Sequence, residues 1–213
     1  MNERPFIILG GGGHARVVAS TLRQLNHRVL GFTDPSPDTS PAEHLEYLGE
    51  DKKLRRYSPD EVALAVGVGS TQDTTLRTQL FGKEETKAFD FPPIVHPEAF
   101  VSPEVIFGDG VQIMAGAVVQ PGTQLGKNVL MNTNASVDHD CEIRAHAHVA
   151  PGATLSGEVT LGRNVHVGTG ASIIQGVNVG TRAVIGAGAV VIEDVPSDTV
   201  VVGVPAQSTK YTS

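Results

Sequence analysis

The residues most able to do chemistry lie together in Asp138-His139-Asp140-Cys141, with His146 and His148 close behind. Imidazole, carboxylate and thiolate are all zinc ligands. Their spacing speaks against a metal, because Cys141 falls on an inward position of a six-residue repeat and His139 does not, so the two side chains diverge. His139 is left between two carboxylates. A carboxylate orients an imidazole and raises its basicity, which is what a general base working near neutral pH needs. Gly157 stands eighteen residues after His139 and leaves open space beside the ring. His146 reads as a solvated surface residue. His148, with His166 eighteen residues further on, reads either as a surface or interface residue or as a second member of the site.

A second candidate lies near the N-terminus. Pro5-Phe6-Ile7-Ile8-Leu9 leads into Gly10-Gly11-Gly12-Gly13-His14, and apolar Val17, Val18, Leu22 and Leu25 follow at helical spacing. A glycine loop between a strand and a helix start exposes N–H groups that attract phosphate. Asp34 closes the next apolar run, where a carboxylate can accept a ribose or base hydrogen bond. Three strands in some 90 residues make half of a dinucleotide-binding unit, so a mononucleotide fits better; a tight turn without a ligand is the other reading.

The elements that must position these residues are legible too. From Val95 to Val191 every sixth residue, seventeen in all, is apolar, and four residues after each comes a small or β-branched one. Such hexads build a β-solenoid with three faces and ~18 residues per coil, coils stacking at strand spacing. Gly110, Gly122, Gly152, Gly170, Gly176 and Gly188 fall at its turns. Before it, strands at 5–9, 29–33 and 62–68 alternate with helices at 15–25 and 71–80, the latter capped by Ser70 or Thr71, with a short helix near 42–48. That βαβ order predicts a small parallel sheet. The expected domains are thus 1–92, a half-Rossmann-like α/β unit, and 93–213, the β-helix with a short tail, Pro92-Pro93 marking the boundary.

The bulk numbers exclude some classes. The 213 residues carry a net charge of −7, so no basic field exists for nucleic acid or an anionic membrane. One cysteine rules out an intrachain disulfide and suits a reducing, cytoplasmic setting. No run of ~18 apolar residues is present.

The opening Ile-Leu-Gly-Gly-Gly-Gly-His-Ala-Arg-Val-Val, the Asn132-Thr133-Asn134-Ala135-Ser136-Val137-Asp138-His139-Asp140-Cys141 segment, His148-Val149-Ala150-Pro151-Gly152-Ala153 and the closing Gly203-Val204-Pro205-Ala206 together resemble the sugar O/N-acyltransferases of the sialic acid O-acetyltransferase type. That group includes N-acetyltransferases for nucleotide-linked 4-amino-4,6-dideoxy sugars of the bacillosamine and perosamine kind, made for bacterial surface glycans such as O-antigen. The resemblance implies a left-handed β-helix, acetyl-CoA as co-substrate without a metal, a UDP- or GDP-linked amino sugar as acceptor, and a homotrimer with sites between subunits. It implies that His139 is the base and that Asp140, where the family often has Glu, raises its basicity. His148, Gly157, Thr169 and Ala187 match coenzyme contacts. Gly12, Gly13, His14, Asp34 and Asn132 match contacts to the nucleotide sugar. Two alternatives stand beside this reading: O-acetylation of a sugar such as sialic acid, and a β-helix that binds a sugar nucleotide without catalysis.

Overall fold

The computed structural model describes residues 4–36 and 45–209. Strands β1 (Phe6–Leu9), β2 (Val29–Thr33) and β3 (Ala63–Val66) form a parallel sheet in the order β2-β1-β3. All four β1 residues are buried, as a central parallel strand covered on both faces requires. Alternate residues serve opposite faces: Phe6 and Ile8 pack with Val18 and Leu22 of helix α1 (Gly13–Gln24), Ile7 and Leu9 with Leu80 of helix α2 (Thr75–Gly82). Ile94, the first strand residue of the repeat, belongs to the α1 cluster, so the two parts share a core.

Two local expectations need correction. Helix α2 starts at Thr75, and its N-cap Thr74 makes no capping bond. Asp73 instead takes the Thr75 N–H at 2.8 Å, and Ser70 is engaged elsewhere. Most of the helix expected near 42–48 lies outside the described residues; the described part, 45–48, is extended, with Tyr47 bridging Phe32.

The repeat forms two-residue strands every six residues, from β4 (Ile94–Val95) to β20 (Val190–Val191). They stack into three parallel sheets in which residue i pairs with residue i+18, as His148 does with His166. The apolar hexad positions and the small ones four residues on fill one continuous core. Strands β21 (Val200–Val202) and β22 (Gln207–Ser208) close one sheet.

From Gly110 to Gly188 every sixth residue, one in each turn, lies in the left-handed region. Eight of the fourteen are not the glycines the sequence pointed to, or not glycine at all: Gly116, Asn128, Asn134, Asp140, His146, Glu158, Asn164 and Arg182. Asn and Asp bear this conformation best among residues with a Cβ.

One sheet, built on β4, β7 (Gln112–Ile113), β10 (Leu130–Met131), β13 (His148–Val149), β16 (His166–Val167) and β19 (Val184–Ile185), lies beneath the α/β domain. Its outward residues Ile94, Gln112, Leu130, His148 and His166 are therefore buried. The other two sheets are bare, leaving Phe100 and Ile106 more than half exposed.

Candidate active site

The chemistry-bearing residues form two separate groups. The first sits at the vertex between the two bare sheets, in the turn joining β11 (Ser136–Val137) to β12 (Glu142–Ile143). His139 Nδ1 lies 2.9 Å from Asp140 Oδ2, and the His139 N–H donates to Asp138 Oδ1 at 2.8 Å. Because an ionised carboxylate can only accept, Nδ1 carries the proton and Nε2 keeps its lone pair. The Asp140 hydrogen bond, with Asp138 and Glu158 nearby, holds the imidazole pKa above its ordinary 6.5.

Two glycines make this geometry possible. A Cβ on Gly157 would stand 2.6 Å from both Cε1 and Nε2 of His139, and one on Gly122, a coil below Asp140, would stand 2.3 Å from Asp140 Oδ1. The imidazole lies against the bare Cα of Gly157. Cys141 points into the core, its Sγ–H directed at the Ser156 carbonyl, and burial lifts its thiol pKa to about 11. Among the described residues no three metal-binding side chains cluster.

The second group lines a cleft of about 910 Å³ between the α/β domain and the covered sheet. His14, Asn132, His148, Thr169 and Ala187 all border it. Two residues to which the sequence assigned no part in the site join them: Ser70, read there as a helix cap, and His166, read only as the residue stacked on His148. Ser70 Oγ lies 2.6 Å from His148 Nδ1 and 3.2 Å from His166 Nδ1. Burial, with His166, Arg77 and His14 close by, holds His148 neutral, its pKa well below 6.5. His14 is likewise neutral: burial and the Arg77 charge take it down to about 4. The Gln112 amide donates to the Val66 carbonyl at 2.8 Å and so turns Oε1 toward His14 Nε2, 2.9 Å away.

The glycine loop stands apart from the cleft wall. Gly10 has φ +94, and a Cβ on Gly11 would strike the Phe32 ring at 2.6 Å; Gly12 and Gly13 face open space. No side chain caps the start of α1, and ahead of Ala15, whose N–H donates to the Gly12 carbonyl at 3.0 Å, the Gly13 and His14 N–H groups are open to an anion. Asp34 Oδ2 accepts the Gly11 N–H at 2.8 Å.

His146 is a correction. It is buried, its Nδ1 takes a hydrogen bond from Asn128 Nδ2 at 2.9 Å, and Phe81 meets it edge-on at 5.8 Å. It supports the domain interface rather than the solvated surface. Gly157 also parts from the other expected coenzyme contacts, lying against His139.

A family model of the PglD N-terminal domain matches residues 5–83. The acetyltransferase domain of PglB from Neisseria gonorrhoeae, solved with acetyl coenzyme A, is 36% identical over 97% of this chain and 100% of that one, with a TM-score of 0.91. A variant of perosamine N-acetyltransferase from Caulobacter crescentus, solved with CoA and GDP-perosamine, is 35% identical over 96% of each chain, with a TM-score of 0.89. The chain belongs to this family of β-helix sugar N-acetyltransferases. UDP-N-acetylbacillosamine N-acetyltransferase of Bacillus subtilis is 35% identical over 113 residues, half of that enzyme and about half of this chain. The His139 vertex and the cleft bordered by His148 are the two groups of candidate residues. Within one chain they sit on opposite sides: the His139 vertex faces away from the sheet that carries His148.

Proposed function

We propose that this protein transfers the acetyl group of acetyl-CoA to the 4-amino group of a UDP- or GDP-linked amino-dideoxy sugar destined for a bacterial surface glycan. The pair His139–Asp140 carries the reading, with Nδ1 tied to the carboxylate and Nε2 bare above Gly157. The amine attacks the thioester carbonyl directly, His139 Nε2 takes its proton, and the sulfur of CoA departs. No Ser or Cys nucleophile is needed. The base contributes on the order of 10²–10⁴-fold, and alignment of the two substrates the remainder.

The cleft suits the two substrates. Thr169 and Ala187, one coil apart, offer a narrow wall along the stack for an extended coenzyme arm, beside His148. Asn132 and His14 border the same cleft nearer the α/β domain, and beyond His14, outside the cleft wall, Gly12, Gly13 and Asp34 would meet phosphate and nucleoside. The base must then come from another copy, its His139–Asp140–Gly157 vertex entering the neighbour's cleft. A closed ring of three copies provides three such sites.

Purified protein is assayed for acetyl-CoA turnover with UDP- and GDP-linked amino sugars and with sialic acid, beside His139→Ala. Turnover of an amino sugar, lost 10²–10⁴-fold in the variant, is the expected result. Turnover of sialic acid alone makes it an O-acetyltransferase, and binding without turnover a non-catalytic β-helix. Light scattering should give three times the 22.3 kDa of one chain; a monomer that is fully active would overturn the shared site.

A further inference from the structure

The polar groups of the cleft wall are ordered by one residue of the α/β domain, Ser70. Asn132 Oδ1 accepts the Thr133 N–H at 2.8 Å, which fixes the amide and turns Nδ2 toward His148 Nε2, 3.1 Å away. An amide nitrogen only donates, so His148 Nε2 is an acceptor and the ring proton sits on Nδ1. From there it donates to Ser70 Oγ at 2.6 Å. The hydroxyl hydrogen of Ser70 is then free to donate to His166 Nδ1 at 3.2 Å. With Nδ1 accepting, the proton of a neutral His166 belongs on Nε2, which has no partner among the described residues and belongs to a ring bordering the cleft. Reversing the chain, or charging His148, would press Asn132 Nδ2–H against His148 Nε2–H in one 3.1 Å gap. The two rings meet edge to face, centroids 5.0 Å apart, and burial keeps both below their ordinary pKa.

We propose that Ser70 is a positioning residue that sets the tautomers of His148 and His166, and that His166 Nε2–H is a donor to a carbonyl oxygen of the acyl-pantetheine arm. The second half rests on the coenzyme lying in this cleft, as argued above; the first does not. The α/β domain therefore shapes the coenzyme site as well as holding the sugar nucleotide.

Long-range ¹H–¹⁵N spectra of the full chain labelled with [¹⁵N]histidine test the chain of bonds. Above pH 7 they should show His148 protonated at Nδ1 and His166 at Nε2. Ser70→Ala should leave His166 without a single tautomer and Ser70→Thr should restore it. A proton on His148 Nε2, or an unchanged His166 in Ser70→Ala, overturns the positioning role. These spectra need no turnover, so they stand apart from any failure of the acetyltransferase reading. For the donor, calorimetry with acetyl-CoA should show affinity lowered about three- to tenfold in His166→Phe, and largely retained in His166→Gln, which keeps an N–H. Equal affinity in His166→Phe and wild type overturns it.

Discussion

In the proposed reaction His139 depends on two neighbours of different kinds. Asp140 raises its pKa, and Gly157 gives it room. The two effects separate by mutation. Asp140→Asn removes the accepting charge that raises the imidazole pKa above its ordinary 6.5, so the acid limb of kcat/KM against pH, expected above that value for wild type, should move to lower pH while the plateau drops; an unmoved limb would mean that Asp140 does not tune the base. Gly157→Ala should cost activity without stability, because its Cβ would enter the space held by Cε1 and Nε2 at 2.6 Å and the exposed ring can swing away. A kcat reduced at least tenfold with an unaltered melting temperature is the expected pair of results; a kcat within twofold of wild type would refute the contact. Cys141 offers the contrast. Its buried thiol, with a pKa of about 11, should resist alkylation in the native protein.

At the scale of the element, the coil is held by its turns and by its core. Gly122 has φ +74 and faces Asp140 across one coil. Gly122→Ala meets both the left-handed penalty, about 1–2 kcal/mol, and the Asp140 carboxylate. A melting temperature lower by several degrees and a shifted His139 pH limb should appear together, since the same Cβ causes both. Leu155, fully buried at an apolar hexad position, belongs to a column that neighbouring coils cannot fill if it is truncated. Leu155→Ala should cost about 2–5 kcal/mol in chemical denaturation. The turn residues explain a limit of the sequence reading. Glycine marks a left-handed position openly, but Glu158 and Arg182 take the same conformation because the hexad forces it on them, and nothing in their own propensities shows it.

In the whole molecule, the α/β domain and the covered sheet enclose four histidines, His14, His146, His148 and His166, all held below their ordinary pKa mainly by burial. For His14 and His146 the value falls from 6.5 to about 4. Folding keeps these rings neutral, so between pH 6.5 and about 4 the unfolded chain binds protons that the folded chain refuses. Stability is therefore present in full above 6.5 and is lost as pH falls through that window, by up to about 1.4 kcal/mol per pH unit for each ring. The melting temperature should drop steadily from pH 6.5 to 4.5, and His146→Gln should flatten the slope; a level profile would contradict neutral, buried rings at the interface.

The β-helix was legible in the sequence because its core repeats: each coil faces the same narrow interior, so each must offer an apolar residue and a small one at the same offsets. That register also turned Cys141 inward and set Gly157 against His139, both of which are relations within the repeat. What repetition cannot carry is which outward face meets a different domain. His146, His148 and His166 are outward by register yet buried, since the α/β domain lies on that one sheet. Ser70, read as a helix cap, turned out to be the bridge between two histidines 78 and 96 residues away. Short-range pattern reports local conformation and facing; docking of one domain on another depends on surface complementarity across the chain, and only the tertiary structure decided it.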